Sequence, residues 1–282
     1  MRSLVLLAPA LASVPRSFTA AESNRDAHTE LLAKLQRLRG RLYLEDGAIE
    51  SWQLTADGRH NAANDERSWH LLALEEEEVT GCARLQVYPP NVTFAELGVA
   101  RSAQAQCPVW GLALRQSVTA KLDCAQTEGL NFIEAGGWAL TPALRCTTEA
   151  LRIALGGYAM GELLGGCLGL STATVRHRSA SILRRLGGRP FMWEGQGVPP
   201  YYDPAYRCEM EVVHFDSRAP NPRYRIWIDE MITELRQAAV FCRTDESKLL
   251  SRSLLSLANV LREQAAQASV KAVDRQECEV AE

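Results

Sequence analysis

The chain has 282 residues, 46% of them hydrophobic, and a formal net charge of −3 at pH 7. This length and apolar content are enough for a sizeable buried core, and the slight negative charge argues against a general nucleic-acid-binding protein. The eight cysteines stand singly, without a Cys-x-x-Cys pair. We therefore expect reduced core cysteines and neither a metal site nor a disulfide framework.

The N-terminal segment, residues 1–27, begins with one arginine and a short apolar run. The run has the length of a signal-peptide core and is too short to cross a membrane. We expect a flexible leader, with a cleaved signal peptide as the alternative. No other segment of the sequence approaches the length of an integral membrane span.

The next segments predict a helix, a hairpin and a second helix. Leucines at positions 31, 32, 35 and 38 share one helical face, whereas residues 42–49 fit either a strand or a loop. The apolar runs 69–74 and 80–88 flank consecutive glutamates at 75–78, and such like charges favour a solvated turn between two strands. Helical spacing of apolar residues returns within residues 94–126.

The segment that follows predicts a strand, a helix, a strand and a helix in succession. Residues 131–140 are the first strand candidate, and Thr141 with Pro142 is a start signal for a helix over residues 143–155. The apolar run 166–175 predicts a buried strand, and two glycines end the helix after it. A crossover of this size implies that the two strands are parallel neighbours.

Two helical patterns follow Pro222, and the second of them includes leucines from Leu249 to Leu261. They could cover a sheet, mediate dimerisation or line a pocket. The last residues are polar and lack aromatic side chains, which predicts a tail that is disordered at its end. The predicted segments are a leader over 1–27, an α/β domain over 28–220, a C-terminal helical extension over 221–264 and a polar tail over 265–282.

In this order the motifs resemble the donor-binding core of the GNAT acyltransferase superfamily, and more closely its branch of acyl-homoserine lactone synthases and bacterial long-chain N-acyl amino acid synthases. The supporting segments are LRGRLYLE at 38–45, DERSWHLLAL at 65–74, GCARLQVY at 81–88, the unit at 131–188, YYDPAYRCEME at 201–211 and FDSRAPNP at 215–222. The resemblance covers about residues 38–222. It implies an α/β, GNAT-like fold with a central mixed sheet flanked by helices.

Two departures narrow this resemblance. GNAT acetyltransferases usually have glycines in the pyrophosphate turn after an arginine, whereas this chain has Thr147 and Thr148 there. Many also have a tyrosine four residues before the glycine that ends the last core helix, and this chain has Leu183. An acetyl-CoA acetyltransferase is therefore less expected than an enzyme of the acyl-group branch.

The resemblance implies an N-acyltransferase that moves a long-chain fatty acyl group from an acyl-carrier-protein or CoA thioester to the amine of an amino acid or similar small amine. It implies no permanently bound cofactor and no metal, an acyl carrier protein as partner, and a cytoplasmic location, because the thioester donors are made there. The alternatives are a lactone synthase that uses adenosylmethionine and a non-catalytic acyl-binding or interaction module. A cysteine nucleophile at Cys124 or Cys146 is a weaker alternative.

Three residues are the catalytic candidates. Glu134, on the first strand of the unit, is placed by the resemblance near the thioester as a base, and its neighbours are small or apolar. The alternative is a structural glutamate paired with Arg84 or Arg145. Arg84 would bind an acceptor carboxylate through its planar guanidinium, or form an ion pair with Asp65 or Glu96. The backbone at Trp138 would supply an oxyanion N–H.

The remaining candidates concern the donor. By resemblance the backbone from Trp138 to Leu140 pairs with the pantetheine arm, and Gly136-Gly137 either admits that arm or marks a bulge. Phosphate candidates are Arg145, Thr147 and Thr148, against plain helix capping. Arg176, His177, Arg178, Arg184, Arg185 and Arg189 form the densest basic cluster. Arg176, Arg178, Arg184 and Arg185 are predicted to dock the acidic carrier protein, with a solvated helix face as the alternative. His177 is a candidate acid for the leaving thiolate.

Overall fold

The computed structural model describes residues 2–145 and 147–243, which form a ten-stranded mixed sheet flanked by helices. The strands are β1 (Ser3–Leu7), β2 (Ala20–Ser23), β3 (Trp69–Glu75), β4 (Glu78–Tyr88), β5 (Asn131–Leu140), β6 (Cys167–Thr174), β7 (Arg189–Pro190), β8 (Met192–Trp193), β9 (Gln196–Gly197), β10 (Tyr201–Asp203), β11 (Cys208–Asp216) and β12 (Ala239–Cys242). The helices are α1 (Arg25–Glu45), α2 (Gly111–Thr127), α3 (Thr148–Leu163), α4 (Ser179–Leu186) and α5 (Arg225–Gln237).

The sheet has the order β10-β11-β6-β5-β4-β3-β1-β12-β2, with β7 paired to β11, while β8 and β9 form a separate hairpin. Alternate residues of its strands face different helices, as the pleat of a strand requires. Phe132 lies in one cluster with Val118 of α2, whereas the next residue, Ile133, lies in another with Ile153 of α3. Helices α1 and α2 thus cover one face, and α3, α4 and α5 cover the other.

The predicted hairpin and the predicted crossover are both confirmed. Strands β3 and β4 pair in antiparallel register across a turn in which Glu76 and Glu77 have φ of 49° and 70°. Strand β5 has the predicted bounds, and it pairs with β6 in parallel, with α3 as the connection. The predicted α/β architecture, a central mixed sheet flanked by helices, is therefore present.

The pairing of β5 with β6 stops halfway along both strands. It runs from Asn131 opposite Cys167 to Ala135 opposite Ser171. Beyond that point β5 remains paired with β4 and β6 remains paired with β11. The sheet is therefore split between the carboxyl ends of two parallel strands. At such an edge, α/β proteins commonly bind ligands.

The prediction of a flexible leader is wrong for its first residues. Strand β1 lies inside the sheet, where it pairs antiparallel with β3 and parallel with β12. Leu6 and Leu7 are completely buried. A short apolar run has the same composition in a buried strand and in a signal-like leader, so the run alone could not distinguish them.

Three other boundaries differ from the predictions. Helix α3 begins at Thr148, because residues 142–144 form a 3₁₀ turn and Arg145 has an extended backbone. Residues 42–45 complete α1, so neither the strand nor the loop alternative describes all of residues 42–49. Residues 221–243 are not an extension, since β12 pairs with β1 within the sheet. The predicted helix at 249–261 and the predicted tail lie outside the described residues.

None of the helices in the described part of the chain is both long enough and apolar enough to cross a lipid bilayer.

Candidate functional site

The split in the sheet opens into a cavity of about 1620 Å³. Gly136 and Thr172, the first residues beyond the β5–β6 pairing, both line it. The side formed by β4, β5 and the loop before β3, which we call the polar half, includes Asn64, Arg84, Gln86 and Glu134. The side formed by the connections after β5 and β6, which we call the basic half, includes Arg145, Arg176, His177, Arg178 and Arg185.

The carboxylate of Glu134 is half-buried and held by three donors. One oxygen accepts hydrogen bonds from the Tyr88 hydroxyl and the Gly98 N–H, both at 2.7 Å, and the other accepts from the Val99 N–H at 2.7 Å. Burial and the adjacent carboxylate raise the pKa of Tyr88, so its phenol remains a donor at neutral pH. Neither Arg84 nor Arg145 is the partner that the structural alternative required. The carboxylate is fixed in the cavity lining, with about one of its four acceptor positions still open.

Arg84 on β4 lies directly opposite Gly136 of β5, at the start of the split. Its Nη1 donates to the Asn64 side chain at 2.7 Å and lies 3.6 Å from the Asp65 carboxylate. The predicted ion pair with Asp65 is thus present, whereas Glu96 instead caps its own 3₁₀ turn. The Nε of Arg84 is buried and has no hydrogen-bond partner among the described residues. Its Nη2 lies 3.7 Å from where a Cβ of Gly136 would be, so the guanidinium reaches the split.

The two glycines at the split form a β-bulge, as the sequence alternative stated. The β4–β5 register shifts between Cys82 and Arg84, so two residues of β5 oppose one of β4. Gly137 has a φ of 61°, which is unfavourable for any residue with a Cβ. The bulge turns Trp138 to the face covered by α3 and α4, where its Nε1 is buried and has no partner among the described residues.

We expect Gly137→Ala to destabilise the fold more than the same change at Gly129. Both glycines have nearly the same φ, 61° and 66°, so both variants carry the conformational cost of about 1–2 kcal/mol. A Cβ at Gly137 would also lie 3.1 Å from the Cβ of Arg84, whereas nothing lies within 4 Å at Gly129. The difference, about 1 kcal/mol or more, is measurable by urea denaturation. Equal losses for both variants would show that the bulge relaxes freely.

The phosphate candidates are only partly free to bind a donor. Leu140, Arg145 and Thr147 line the cavity, but Thr148 does not. The Arg145 guanidinium donates to both oxygens of Asp46 at 3.2 Å and to the Leu140 carbonyl at 3.3 Å. Thr147 caps α3 by accepting from the Glu149 N–H at 3.2 Å, which is the capping alternative. The start of α3 therefore already has a side-chain acceptor and a first-turn carboxylate.

The basic cluster divides between the cavity and the outer surface. Arg176, Arg178 and Arg185 line the cavity, whereas Arg184 does not and lies 3.5 Å from the Glu211 carboxylate. His177 lies 3.5 Å from the Asp46 carboxylate. Burial, partly offset by that carboxylate, lowers the pKa of His177, so the imidazole is largely neutral at pH 7.

Leu183 occupies the position at which the sequence resemblance led us to look for a tyrosine, and it offers no proton donor. Leu183 lines the large cavity and a smaller apolar one of about 60 Å³ behind it, so the position does face the site. Cys124 is exposed on α2 and does not line either cavity, and Cys146 lies outside the described residues. Among the described residues, no group of three metal-ligating side chains comes together.

Sequence patterns missed three contributors to the site. Tyr88 and Glu134 lie diagonally across the β4–β5 pair, so the register of the two predicted strands could have identified the contact. Asn64 directly precedes the DERSWHLLAL segment, and no sequence pattern identifies it as part of a site. Asp46 follows α1 and meets Arg145 from 99 positions away, which no local pattern predicts.

The sequence matches no family model and no curated protein. Its fold is similar to that of BjaI, a CoA-dependent acyl-homoserine lactone synthase solved with SAM and isopentyl-CoA. The identity is 15% and the TM-score 0.51, over 90% of this chain and 100% of that one. For the same enzyme solved with MTA the identity is 15% and the TM-score 0.50, with the same coverage of both chains. For FeeM, an N-acyl amino acid synthase from uncultured soil microbes, the identity is 11% and the TM-score 0.45, over 77% of this chain and 92% of that one. The similarity to BjaI shows that this chain has the fold of acyl-homoserine lactone synthases, the GNAT-like fold that the motif order predicted.

Proposed function

We propose that this protein is an N-acyltransferase that moves a fatty acyl group from an acyl-carrier-protein or CoA thioester to the amine of an amino acid or similar small amine. The observation that supports this most strongly is the split between β5 and β6, which opens into a cavity of about 1620 Å³. Beyond Ala135 the edge of β5 is free of β6, so the extended arm of a thioester donor can lie against it like an added strand. The reaction uses cytoplasmic donors, so we propose a cytoplasmic location.

The proposed chemistry is direct transfer through a tetrahedral intermediate. The amine nitrogen forms a bond to the thioester carbonyl carbon, the C–S bond breaks, and one amine proton passes to the thiolate. Glu134 accepts that proton, directly or through water, at its one open acceptor position. Backbone N–H groups at the Trp138 bulge stabilise the oxyanion. Leu183 offers no acid, so the leaving thiolate receives a proton from Glu134, from water or from His177.

The polar half suits an acceptor that has a carboxylate beside its amine. Arg84 reaches the split with its Nε unpartnered among the described residues, while Asn64 fixes the other side of the guanidinium. A guanidinium with free donors binds a carboxylate in bidentate fashion. This arrangement supports an amino acid as the acceptor.

The test is to identify the product. Lipid extracts of cells making the chain, and of cells with empty vector, are compared by mass spectrometry for new N-acyl amines. The purified protein is then supplied with acyl-CoA or acyl-carrier-protein and with amino acids or adenosylmethionine, and thiol release is followed. We expect an N-acyl amino acid and thiol release that depends on the amine. Lactone formation with adenosylmethionine would support the alternative enzyme. Donor binding without release would support a non-catalytic module.

We expect neutralisation of Arg184 to distinguish the two donors. Its side chain is exposed at the end of α4 and does not line the cavity, so an acidic carrier protein would meet it but a pantetheine arm would not. Arg184→Gln should lower kcat/KM for an acyl-carrier-protein donor about threefold or more at low salt, and less at high salt. The matched control Arg236→Gln removes the same charge from an exposed position on α5. A loss of similar size for acyl-CoA, or for the control, would argue against carrier docking here.

A further inference from the structure

Among the described residues, the basic half of the cavity contains one carboxylate, that of Asp46. Arg145 donates from Nη1 and Nη2 to its two oxygens, each at 3.2 Å. The Nε2 of His177 lies 3.5 Å from one of these oxygens. Arg176 donates from Nη2 to the backbone carbonyl of Asp46 at 2.9 Å. Two arginines and one largely neutral histidine, whose Nε2 also accepts from the Arg176 Nε at 3.3 Å, therefore converge on Asp46.

These side chains come from three separate parts of the chain. Asp46 directly follows α1, Arg145 lies in the connection from β5 to α3, and Arg176 and His177 lie in the turn from β6 to α4. The two connections leave the carboxyl ends of the strands that diverge at the split. All four residues line the large cavity. The cluster is thus part of the site, at the edge of the sheet where anionic ligands bind in many α/β proteins.

The charges of this half do not balance. Arg145, Arg176, Arg178 and Arg185 line it, and Asp46 is the acid beside them in the described lining. One carboxylate therefore leaves a net positive charge. The start of α3, the other place for a phosphate, already holds the first-turn carboxylate of Glu149. The cationic cluster is the more favourable position for a further anion.

We propose that Asp46 is an internal anion that occupies the phosphate site of the donor in the free protein, and that a donor phosphate replaces it there. The planar fork of arginine binds a carboxylate and a phosphate with the same bidentate geometry, so the Asp46 contact outlines the position of the phosphate. A phosphate has more charge and more acceptor oxygens than a carboxylate, and it can also engage Arg176. Asp46 consequently lowers the affinity for every anion and restricts the site to multiply charged ones.

This inference deepens the proposed function, because it takes the phosphate-bearing arm of a thioester donor as the ligand. It concerns binding alone, so it can be tested without turnover. Purified full-length protein and Asp46→Asn are titrated calorimetrically with pyrophosphate, with CoA and with pantetheine, which has no phosphate. We expect Asp46→Asn to bind pyrophosphate and CoA about five- to tenfold more tightly, with a steeper dependence on salt. Pantetheine binding should not change.

Two control variants make the test specific. Glu96→Gln removes the same charge from the lining of the same cavity, away from the basic half, and should change pyrophosphate affinity less than about twofold. Arg145→Gln should weaken pyrophosphate binding several-fold, since it removes the bidentate donor. Asp46→Ser is a second variant in case Asp46→Asn folds poorly. The side chain of Asp46 is 21% exposed, so such changes are tolerable.

Unchanged or weaker pyrophosphate binding by folded Asp46→Asn and Asp46→Ser would overturn the inference and make Asp46 a structural partner that orients Arg145. An equal gain in Glu96→Gln would also overturn it, because the effect would then be one of general charge. The expected gain in a protein that never transfers an acyl group would contradict the proposed function and leave the anion site intact. Acyl transfer by the wild-type protein, with no gain in pyrophosphate affinity for Asp46→Asn, would support the proposed function and overturn the inference about Asp46.

Discussion

Glu134→Gln is expected to lower kcat for acyl transfer by about 100-fold or more, with a much smaller change in KM for the donor. The amide has nearly the shape of the carboxylate, but it cannot take a proton from the attacking amine. The substitution also turns an NH₂ group towards a backbone N–H, of Gly98 or of Val99, because each carboxylate oxygen accepts one. That mismatch costs about 1–3 kcal/mol of stability, so unfolding must be measured beside turnover.

Tyr88→Phe is the matched control for the structural contribution of Glu134. It removes one of the three hydrogen bonds to the carboxylate and leaves the carboxylate itself in place. We expect Tyr88→Phe to lose about 1 kcal/mol of stability and less than tenfold in kcat. If Glu134→Gln kept more than a tenth of wild-type kcat, or if both variants lost stability and kcat in the same proportion, the role of Glu134 would be structural, as the acceptor that holds the start of the 3₁₀ turn at Gly98–Arg101.

The predictions from sequence held where the determining contacts are local. Strand β5 and the crossover through α3 to β6 follow from apolar runs and glycine positions that are close in the chain. Strand β1 could not be recognised in this way, because its partners, β3 and β12, are distant in sequence. Its four buried residues have the same composition as the core of a leader.

The same limit applies to the candidate site. The Arg84–Asp65 ion pair is among the alternatives that the sequence suggests, because Arg84 lies in β4 and Asp65 lies just before β3, the neighbouring strand. The partners of Glu134 are mostly backbone N–H groups of residues 98–99. Almost every residue has such a group, so the sequence does not identify which ones will donate. Asp46 meets Arg145 only because α1 ends above the split. These contacts depend on tertiary packing, which residue patterns alone do not specify.

Arg39→Met is expected to reduce the free energy of unfolding by about 3–5 kcal/mol, a larger loss of stability than we expect for Glu134→Gln or Gly137→Ala. Arg39 and Asp65 are 1% and 2% exposed and form a salt bridge beneath the polar half of the cavity. Arg39 also donates to the His60 carbonyl at 2.8 Å, and Gln36 donates to Asp65 at 3.0 Å. Methionine fills a similar volume but leaves the buried carboxylate without its bidentate partner, and Arg84, at 3.6 Å, is the cation that remains beside it.

The pH dependence of this loss identifies its cause. Burial alone would raise the pKa of Asp65, but the hydrogen bonds and charge of Arg39 lower it well below its ordinary value. Wild-type protein therefore keeps this contribution above about pH 4, the ordinary pKa of an unfolded aspartate, and loses it as the pH falls further. In Arg39→Met the buried carboxyl has lost its nearest cation and is protonated more readily than in wild type, so the stability gap to wild type should narrow between pH 7 and pH 4.

Arg37→Met is the matched control, since it makes the same change two positions away on α1. The ion pair of Arg37 with Asp57 is exposed, at 50% and 43%, and such pairs contribute about 0–1 kcal/mol. Urea denaturation of the three proteins at pH 7 and pH 4.5 gives both comparisons. A loss below about 1 kcal/mol in Arg39→Met, or a gap that widens on acidification, would show that Asp65 is not held as a buried anion. A large loss that narrows on acidification would show that Arg39 holds Asp65 as a buried anion, beneath the loop whose Ala62 N–H donates to the same carboxylate.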